Sequence, residues 1–382
     1  MTGPAAPGYA FRVIATDGAA RAGVLTTPHG DVPTPTFMPV GTQGAVKSLA
    51  PEEVAATGAR VVLGNTYHLW VRPGAELIAS LGGLHRFTRW PHAMLTDSGG
   101  FQAFSLSGLV RLTEDGFSFR SHLDGRKMLL SPEVAMTVQG QIGADIAMQL
   151  DVCPPGQSDR SVMQAAVERT TRWAVRCLAA RRADQAVFGI VQGGTDVALR
   201  RAHAATLGSL AFDGLALGGF SVGEPIDVMH DVLGQVAGDL DPDRPRYLMG
   251  VGTPVDLVHG VAAGVDMFDC VLPTRNARNG QALVRGGRIV IKNAKYRDDD
   301  RPLDPSCTCA GCSAGFSRAY LRHLFLAGEI LALRVLSLHN LHLYGTIMRQ
   351  AREAILQGRY ARFASDWLSM HRADRDTVGT MG

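Results

Sequence analysis

Apolar residues in this chain fall in short runs, each stopped by Gly, Pro or a polar side chain, and most are separated by stretches of helical periodicity. The runs lie at 36–41, 61–65, 93–97, 145–151, 187–192, 214–218, 246–250 and 265–269. The helix-compatible stretches lie at 51–57, 73–81, 131–142, 161–182, 196–207, 224–237 and 254–263. Pro51, Pro132 and Pro254 suit first-turn positions, where the missing N–H costs nothing, and Ser131 and Ser161 suit N-caps. Strands alternating with helices pair in parallel through right-handed crossovers, and eight such units predict an α/β protein built on a closed (β/α)8 TIM barrel.

Two stretches break the alternation. Residues 108–130 carry two strand-like runs around Glu114-Asp115-Gly116, which predicts a hairpin inserted after the third strand. Residues 281–317 read as short strands, at 282–285 and 288–292, leading into a cysteine cluster, and helical stretches follow at 318–335, 338–356 and 359–368. The expected organisation is a barrel core over 1–280 with N-terminal strands, a metal-binding insert over 281–345, C-terminal helices over 346–371 packing on the barrel, and a disordered tail over 372–382.

The ends of the predicted strands carry the chemistry. They deliver Asn65, Asp97, Asp151, Gln192, Gly218-Gly219, Gly250 and Asp269. A barrel brings all its C-terminal strand ends to one face, so three carboxylates, two amides and several glycines from distant parts of the chain are expected to meet. Turn chemistry alone accounts for one such residue and poorly for so many. After Asp269 a loop is expected to carry Arg275 and Arg278. Between 275 and 301 eight basic residues stand against three acids, a strip suited to a polyanion although the whole chain has a net charge of only +3. A carboxylate opening into such a strip points to acid chemistry on a polyanion.

Leu95-Thr-Asp97-Ser98-Gly99-Gly100-Phe101-Gln102 puts a carboxylate on a Gly-Gly turn beside an aromatic ring that can stack on a planar ligand. Gln192-Gly-Gly and Gly218-Gly219-Phe220 again join hydrogen-bonding groups to closely approachable backbone. Asp151 can accept two N–H bonds from an amidine-like edge of the kind guanine presents. The chain has no run of eighteen apolar residues and no secretory start, so no membrane partner and a cytoplasmic location are expected.

Six cysteines are present, and three of them, Cys307, Cys309 and Cys312, fall within six residues. Three thiolates and one imidazole suit tetrahedral zinc, and a closed Cys3His set leaves no coordination position for a substrate, so one structural Zn2+ per chain is expected. Spacing alone leaves the fourth ligand open among His323, His339 and His342.

From about 37 to 368 the chain resembles the tRNA-guanine transglycosylases. The blocks that carry the resemblance are Leu63-Gly-Asn-Thr-Tyr-His-Leu69, 97–102, Ser121-His-Leu-Asp-Gly125, 269–280, and the cysteine cluster with His339-Asn340-Leu341. It implies exchange of the wobble guanine in tRNAs with a G-U-N anticodon for a 7-deazaguanine, with guanine and that base as the small molecules. It implies Asp269 as nucleophile toward ribose C1′ and Asp97 as general acid/base. Ser98, Gly99, Gly100, Phe101, Asp151, Gln192, Gly219, Phe220 and Met249 would bind the base, Phe101 and Met249 forming the stacking slot. Asn65, Gly250, Val251, Gly252, Thr253, Pro254, Val255 and Asp256 would hold the anticodon loop, together with Thr274, Arg275, Asn276, Ala277 and Arg278. His339 becomes the fourth metal ligand. Lys47, Phe316, Tyr320 and His323 match the interface of a homodimer, Phe316 standing where some relatives carry Trp. Val222 and Cys153 match the pocket that takes 7-aminomethyl-7-deazaguanine rather than the larger queuine.

Other readings predict other outcomes. A glycosidase or metal-dependent hydrolase would also gather strand-end carboxylates, but no His-x-His follows the first predicted strand and the cysteines close off the metal site. A non-catalytic, tRNA-binding subunit would have lost catalytic acids, whereas Asp97, Asp151 and Asp269 all stand.

Overall fold

The computed structural model describes residues 6–106 and 110–378, with backbone alone at 104–106 and 372–378. An antiparallel sheet comes first: β1 (Ala10–Asp17), β2 (Ala20–Thr27) and β3 (Gly30–Thr34). The strands β4 (Thr36–Gly41), β5 (Val61–Gly64) and β6 (Ala93–Thr96) follow. An excursion through β7 (Arg111–Leu112), β8 (Phe117–Arg120) and β9 (Lys127–Leu130) interrupts them. The remaining parallel strands are β10 (Ile146–Met148), β11 (Ala186–Val191), β12 (Gly214–Leu217), β13 (Arg246–Leu248) and β14 (Met267–Cys270). They close in sequence order, with β14 pairing back on β4 through Met267 opposite Thr36. The expected eight-stranded barrel is therefore present.

Its strands are buried on both faces, as parallel strands between a barrel interior and an outer ring of helices must be. Met38, Leu63, Leu95, Met148, Phe188, Ile190 and Tyr247 fill the interior, and Tyr9, Leu25 and Val32 join that cluster, so the β1–β3 sheet plugs the N-terminal end. Arg21 of β2 reaches buried Asp266 with both Nε, at 3.1 Å, and Nη2, at 2.6 Å, locking the plug in place. The opposite end stays free for a site.

Several local expectations shift. The helix at Arg160–Ala180 starts one residue before Ser161, which lies inside the first turn, and Asp159 is the N-cap. The 108–130 insert is a three-stranded sheet rather than a hairpin alone, and residues 107–109 lie outside the described residues. Arg275 and Arg278 sit on a short helix, Leu272–Arg278, not on a loop, because Pro273 at its start and Thr274 and Ala277 on its inner face let the turn wind against the core. After the β15–β16 hairpin (Gln281–Val284 and Gly287–Val290) the C-terminal helices are Arg318–Leu326, Ile330–Leu356 and Tyr360–Val378. The first break falls at Gly328, whose φ of +76° ends one helix, and not near 336. The last helix runs past 372, the expected start of disorder, to Val378, and residues 379–382 lie outside the described residues.

The helix Ile330–Leu356 stitches the molecule together. His339 faces the cysteines, Asn340 bonds Leu283 N and the carbonyls of Pro273 and Gln281, and Tyr344 donates to Gly252 O at 2.6 Å. Arg352 then donates to Gly23 O and Thr34 O in the plug. No described helix is long and apolar enough to cross a membrane.

Candidate active site

At the C-terminal ends of the barrel strands lies a cavity of about 440 Å³. Asn65, Asp97, Ser98, Phe101, Asp151, Gln192, Gly219, Phe220, Met249, Gly250 and Asp269 line it, as do Cys153 and Val222. These residues come from seven strand ends, and the barrel brings them together as expected. Gly99 and Gly100 do not line it. They let the turn close: a Cβ on Gly99 (φ +77°) would sit 3.1 Å from Tyr67 N, and one on Gly100 would sit 3.0 Å from the Leu150 side chain.

Asp269 is buried at the end of β14. Its Oδ1 accepts from the Tyr247 hydroxyl at 2.5 Å and from Gly250 N–H at 2.7 Å. Burial raises its pKa, and these two donors, which favour the anion, work against the rise. Tyr247 points into the barrel from the neighbouring strand. The sequence reading missed it, because an inward Tyr in an apolar run looks like core.

Asp97 follows β6 and faces the cavity. Its Oδ2 accepts from Asn65 Nδ2 at 2.5 Å and its Oδ1 from Thr66 N–H at 2.8 Å. Loss of water around it pushes its pKa to about 7 against those bonds, and the negative charges of Asp269 and Asp151 add to the rise. Asn65 is itself buried, and its Oδ1 caps the helix Thr66–Val71 through His68 N–H. The structure thus makes Asn65 a partner of Asp97, with both side-chain ends occupied. Asp151 is pushed up to about 6 by burial, although Gln192 Nε2 donates to it at 2.7 Å. Gln192 Oε1 is buried with no partner among the described residues, so the amide holds an acceptor in reserve. One pocket therefore contains three carboxyls whose pKa values burial raises, each against a different set of donors, the kind of perturbation that marks a reactive site.

The segments expected to hold RNA flank this cavity. Thr253, Pro254 and Val255 are half-buried, whereas Val251 and Gly252 are buried. Asp256 is committed to the fold: Oδ2 closes a capping box with Thr253 and Oδ1 meets His230 Nε2 at 2.8 Å. Arg275 is exposed, Asn276 and Arg278 are half-buried, and Arg278 Nη1 has no partner among the described residues. Thr274 and Ala277 face inward, Ala277 joining the core of the insert. Lys47, Tyr320 and His323 are exposed and Phe316 is half-buried, its ring 5.7 Å from that of Tyr320.

Cys307, Cys309, Cys312 and His339 bring four ligand atoms within 4.8 Å of one another. His339 Nδ1 lies 3.6 Å from Cys309 Sγ and 3.4 Å from Cys312 Sγ, while Nε2–H donates to Leu283 O at 2.8 Å. That bond sets the tautomer and leaves the Nδ1 lone pair aimed at the sulfurs, as metal-binding histidines require. The donor set therefore fits a tetrahedral ion, and geometry selects His339 over His323 and His342.

A second cluster lies at the plugged end, where His29 Nδ1 and His85 Nε2 meet the two oxygens of Asp145 at 2.6 and 3.0 Å. The two imidazoles stack face to face, centroids 3.6 Å apart and planes within 9°. Stacked planes place the two rings poorly for sharing one ion, and the N···O distances are those of hydrogen bonds.

Compared with known proteins, residues 17–373 match a family described as Queuine tRNA-ribosyltransferase. A protein of Sorangium cellulosum with that name is 71% identical over 95% of this chain and 92% of its own length. Proteins of the same name from Herpetosiphon aurantiacus and Solidesulfovibrio magneticus are 53% and 54% identical, over 94% and 96% of this chain and 92% and 98% of theirs.

Proposed function

The chain belongs to the queuine tRNA-ribosyltransferase family, and we propose that it exchanges the wobble guanine of G-U-N tRNAs for 7-aminomethyl-7-deazaguanine. Asp269 Oδ attacks ribose C1′, the C1′–N9 bond breaks, and its electron pair leaves with guanine. Asp97 gives a proton to a ring nitrogen of the departing base. The incoming base then loses its ring N–H proton to Asp97 and displaces the Asp269 carboxylate from C1′, so the strand stays whole and protons balance. The observation that supports this most is the placement of Asp97 and Asp269 in one pocket, the first held near neutrality at about 7 and the second receiving two donors.

In this reading Asp151 accepts from the guanine N–H edge, Gln192 and the Gly219 backbone meet the remaining edge, and Phe101 and Met249 take the ring faces. Phe101 is 53% exposed, free to cover a ligand. Arg275, Asn276 and Arg278, with the exposed part of 250–256, meet the anticodon loop. Guanine must leave its stack to reach the pocket, which a loop allows more cheaply than a duplex. Cys307, Cys309, Cys312 and His339 would hold one Zn2+, tying the insert to the helix that contacts Pro273. Lys47, Phe316, Tyr320 and His323 form a homodimer contact, extended by the exposed apolar Leu326 and Ile330. The enzyme works in the cytoplasm, where its tRNA is.

The test is the mass of the wobble nucleoside after incubation with unmodified G-U-N tRNA and 7-aminomethyl-7-deazaguanine. Replacement of guanine on intact tRNA, abolished in Asp269→Ala, is expected. Efficient incorporation of queuine instead would overturn the specificity assigned to Val222 and Cys153.

A further inference from the structure

The base pocket is backed by a cation that the proposed reaction does not use. Arg200 belongs to the helix Val197–Gly208, capped by Asp196, and its side chain is completely buried. No carboxylate oxygen among the described residues bonds it, and the Glu224 charge acts on it only at longer range. Its guanidinium instead donates to three main-chain carbonyls: Nε to Gly194 O at 2.6 Å, Nη2 to Gly219 O at 3.2 Å and Nη1 to Val191 O at 3.4 Å. Its Cζ also lies 3.8 Å from the centre of the Phe220 ring. One turn on, His203 Nδ1 accepts the N–H of Gln192 at 2.9 Å. Burial holds that imidazole neutral, its pKa near 4.

A buried charge with no carboxylate bonded to it is costly, and a fold keeps one only where its donors are well used. Here the planar fork spans two separate turns, the one after β11 that carries Gln192 and the one after β12 that carries Gly219 and Phe220. Those turns meet in very little space. A Cβ on Gly219 would lie 2.3 Å from Gln192 Oε1, and one on Gly193 would lie 2.8 Å from Arg200 Cγ. A carbonyl held on one side fixes its whole peptide plane, because the peptide bond does not rotate. Gly219 O on Arg200 therefore fixes the Gly219–Phe220 peptide against the Gln192 amide.

We propose that Arg200 is a positioning residue for the base. Its guanidinium locks the Gln192 and Gly219–Phe220 turns into one preformed edge before the purine arrives. The inference rests on the proposed base-exchange reading and adds a residue that never touches the base. Arg200 holds the slot and leaves the tRNA surface alone, so its loss weakens base binding selectively. Lysine is no equivalent: a single ammonium on a flexible stem cannot bridge carbonyls of two turns in a fixed plane.

The experiment compares wild type, Arg200→Met and Arg200→Lys in exchange of labelled guanine into tRNA, with KM taken separately for base and tRNA. Guanine binding to each protein alone is measured by calorimetry. Arg200→Met is expected to raise the KM and Kd for guanine by roughly ten- to a hundred-fold, the effect of losing hydrogen bonds to a charged group. The tRNA KM should stay within about two-fold, and millimolar methylguanidinium should restore part of the base affinity. Arg200→Lys, which keeps charge and most of the volume, should fold and lie between the two. Unchanged guanine KM in either folded variant, or equal losses for base and tRNA, would overturn the positioning role while wild-type exchange left the reaction standing. A wild type that neither binds nor exchanges guanine would remove the reading of the pocket itself.

Discussion

Replacing Asp97 with Asn should make the protein relatively more stable as pH rises, while removing its activity. The Asp97 carboxyl titrates near 3.8 when free and at about 7 in the fold, because the pocket strips its water and places Asp269 and Asp151 nearby. The folded protein thus keeps this proton to higher pH than the unfolded chain, and ionising it opposes folding. The penalty grows as pH rises from about 4 to about 7 and is constant above that. At about 1.4 kcal/mol per pH unit within that window, the increment between pH 5 and pH 8 is about 2–3 kcal/mol. A chain of 382 residues has an unfolding entropy of about 0.8 kcal/mol/K, so the increment is worth about 3 °C in Tm. Asn65 Nδ2 donates to Asp97, and an amide there presents a donor to a donor. That loss lowers the whole Asp97→Asn curve at every pH and leaves its slope relative to wild type unaffected. Differential scanning calorimetry at half-unit steps from pH 5 to pH 8 reads the Tm difference directly. A difference that widens in favour of the variant by about 3 °C supports the poised acid. A flat difference, or one that narrows, would show that Asp97 is already ionised at pH 5 and would refute its assignment as the proton carrier.

Tyr247→Phe removes one of the two donors that favour ionised Asp269, so the acid limb of the kcat profile should move to higher pH, with a loss of roughly ten-fold or more at pH 7; an unmoved limb would separate Tyr247 from the nucleophile. Asp145 should behave oppositely to Asp97: burial disfavours its charge, but bonds from His85, His29 and Met94 N–H outweigh that and lower its pKa. Its stabilisation is present above the usual carboxylate range and fades as pH falls through the folded value, so the Tm deficit of Asp145→Asn should shrink toward acid pH. Cys309→Ser should lose bound zinc, measured by mass spectrometry of the metal, and lower Tm; full zinc content would remove Cys309 from the site. Gly219→Ala, whose Cβ would collide with Gln192 Oε1, should weaken guanine binding by calorimetry without changing metal content.

Much of the site is legible in the chain because each strand reports its own end. The residue that stops an apolar run sits at the barrel mouth, whatever the rest of the molecule does, so Asp97, Asp151, Gln192 and Asp269 could be named from local pattern alone. The three cysteines are legible for the same reason, being close in sequence. Residues whose role depends on a neighbouring strand were not. Tyr247 and Arg200 look like an inward aromatic and a helix-surface cation, and nothing local to Asn65 announces that its amide meets Asp97. Arg275 and Arg278 read as loop residues because a seven-residue helix is too short to show its period.

Periodicity, punctuation and residue chemistry are properties of the chain, and they determined the eight strand–helix units, the acids at their ends and the three clustered cysteines. Which side chains meet is a property of closure. Pairing β14 with β4 brought residues more than two hundred positions apart to one cavity, and only there does desolvation raise the pKa of Asp97 and of Asp269. His339 was chosen over its two neighbours by the same cause, a long helix whose phase is set by packing on Leu283 and not by spacing from the cysteines.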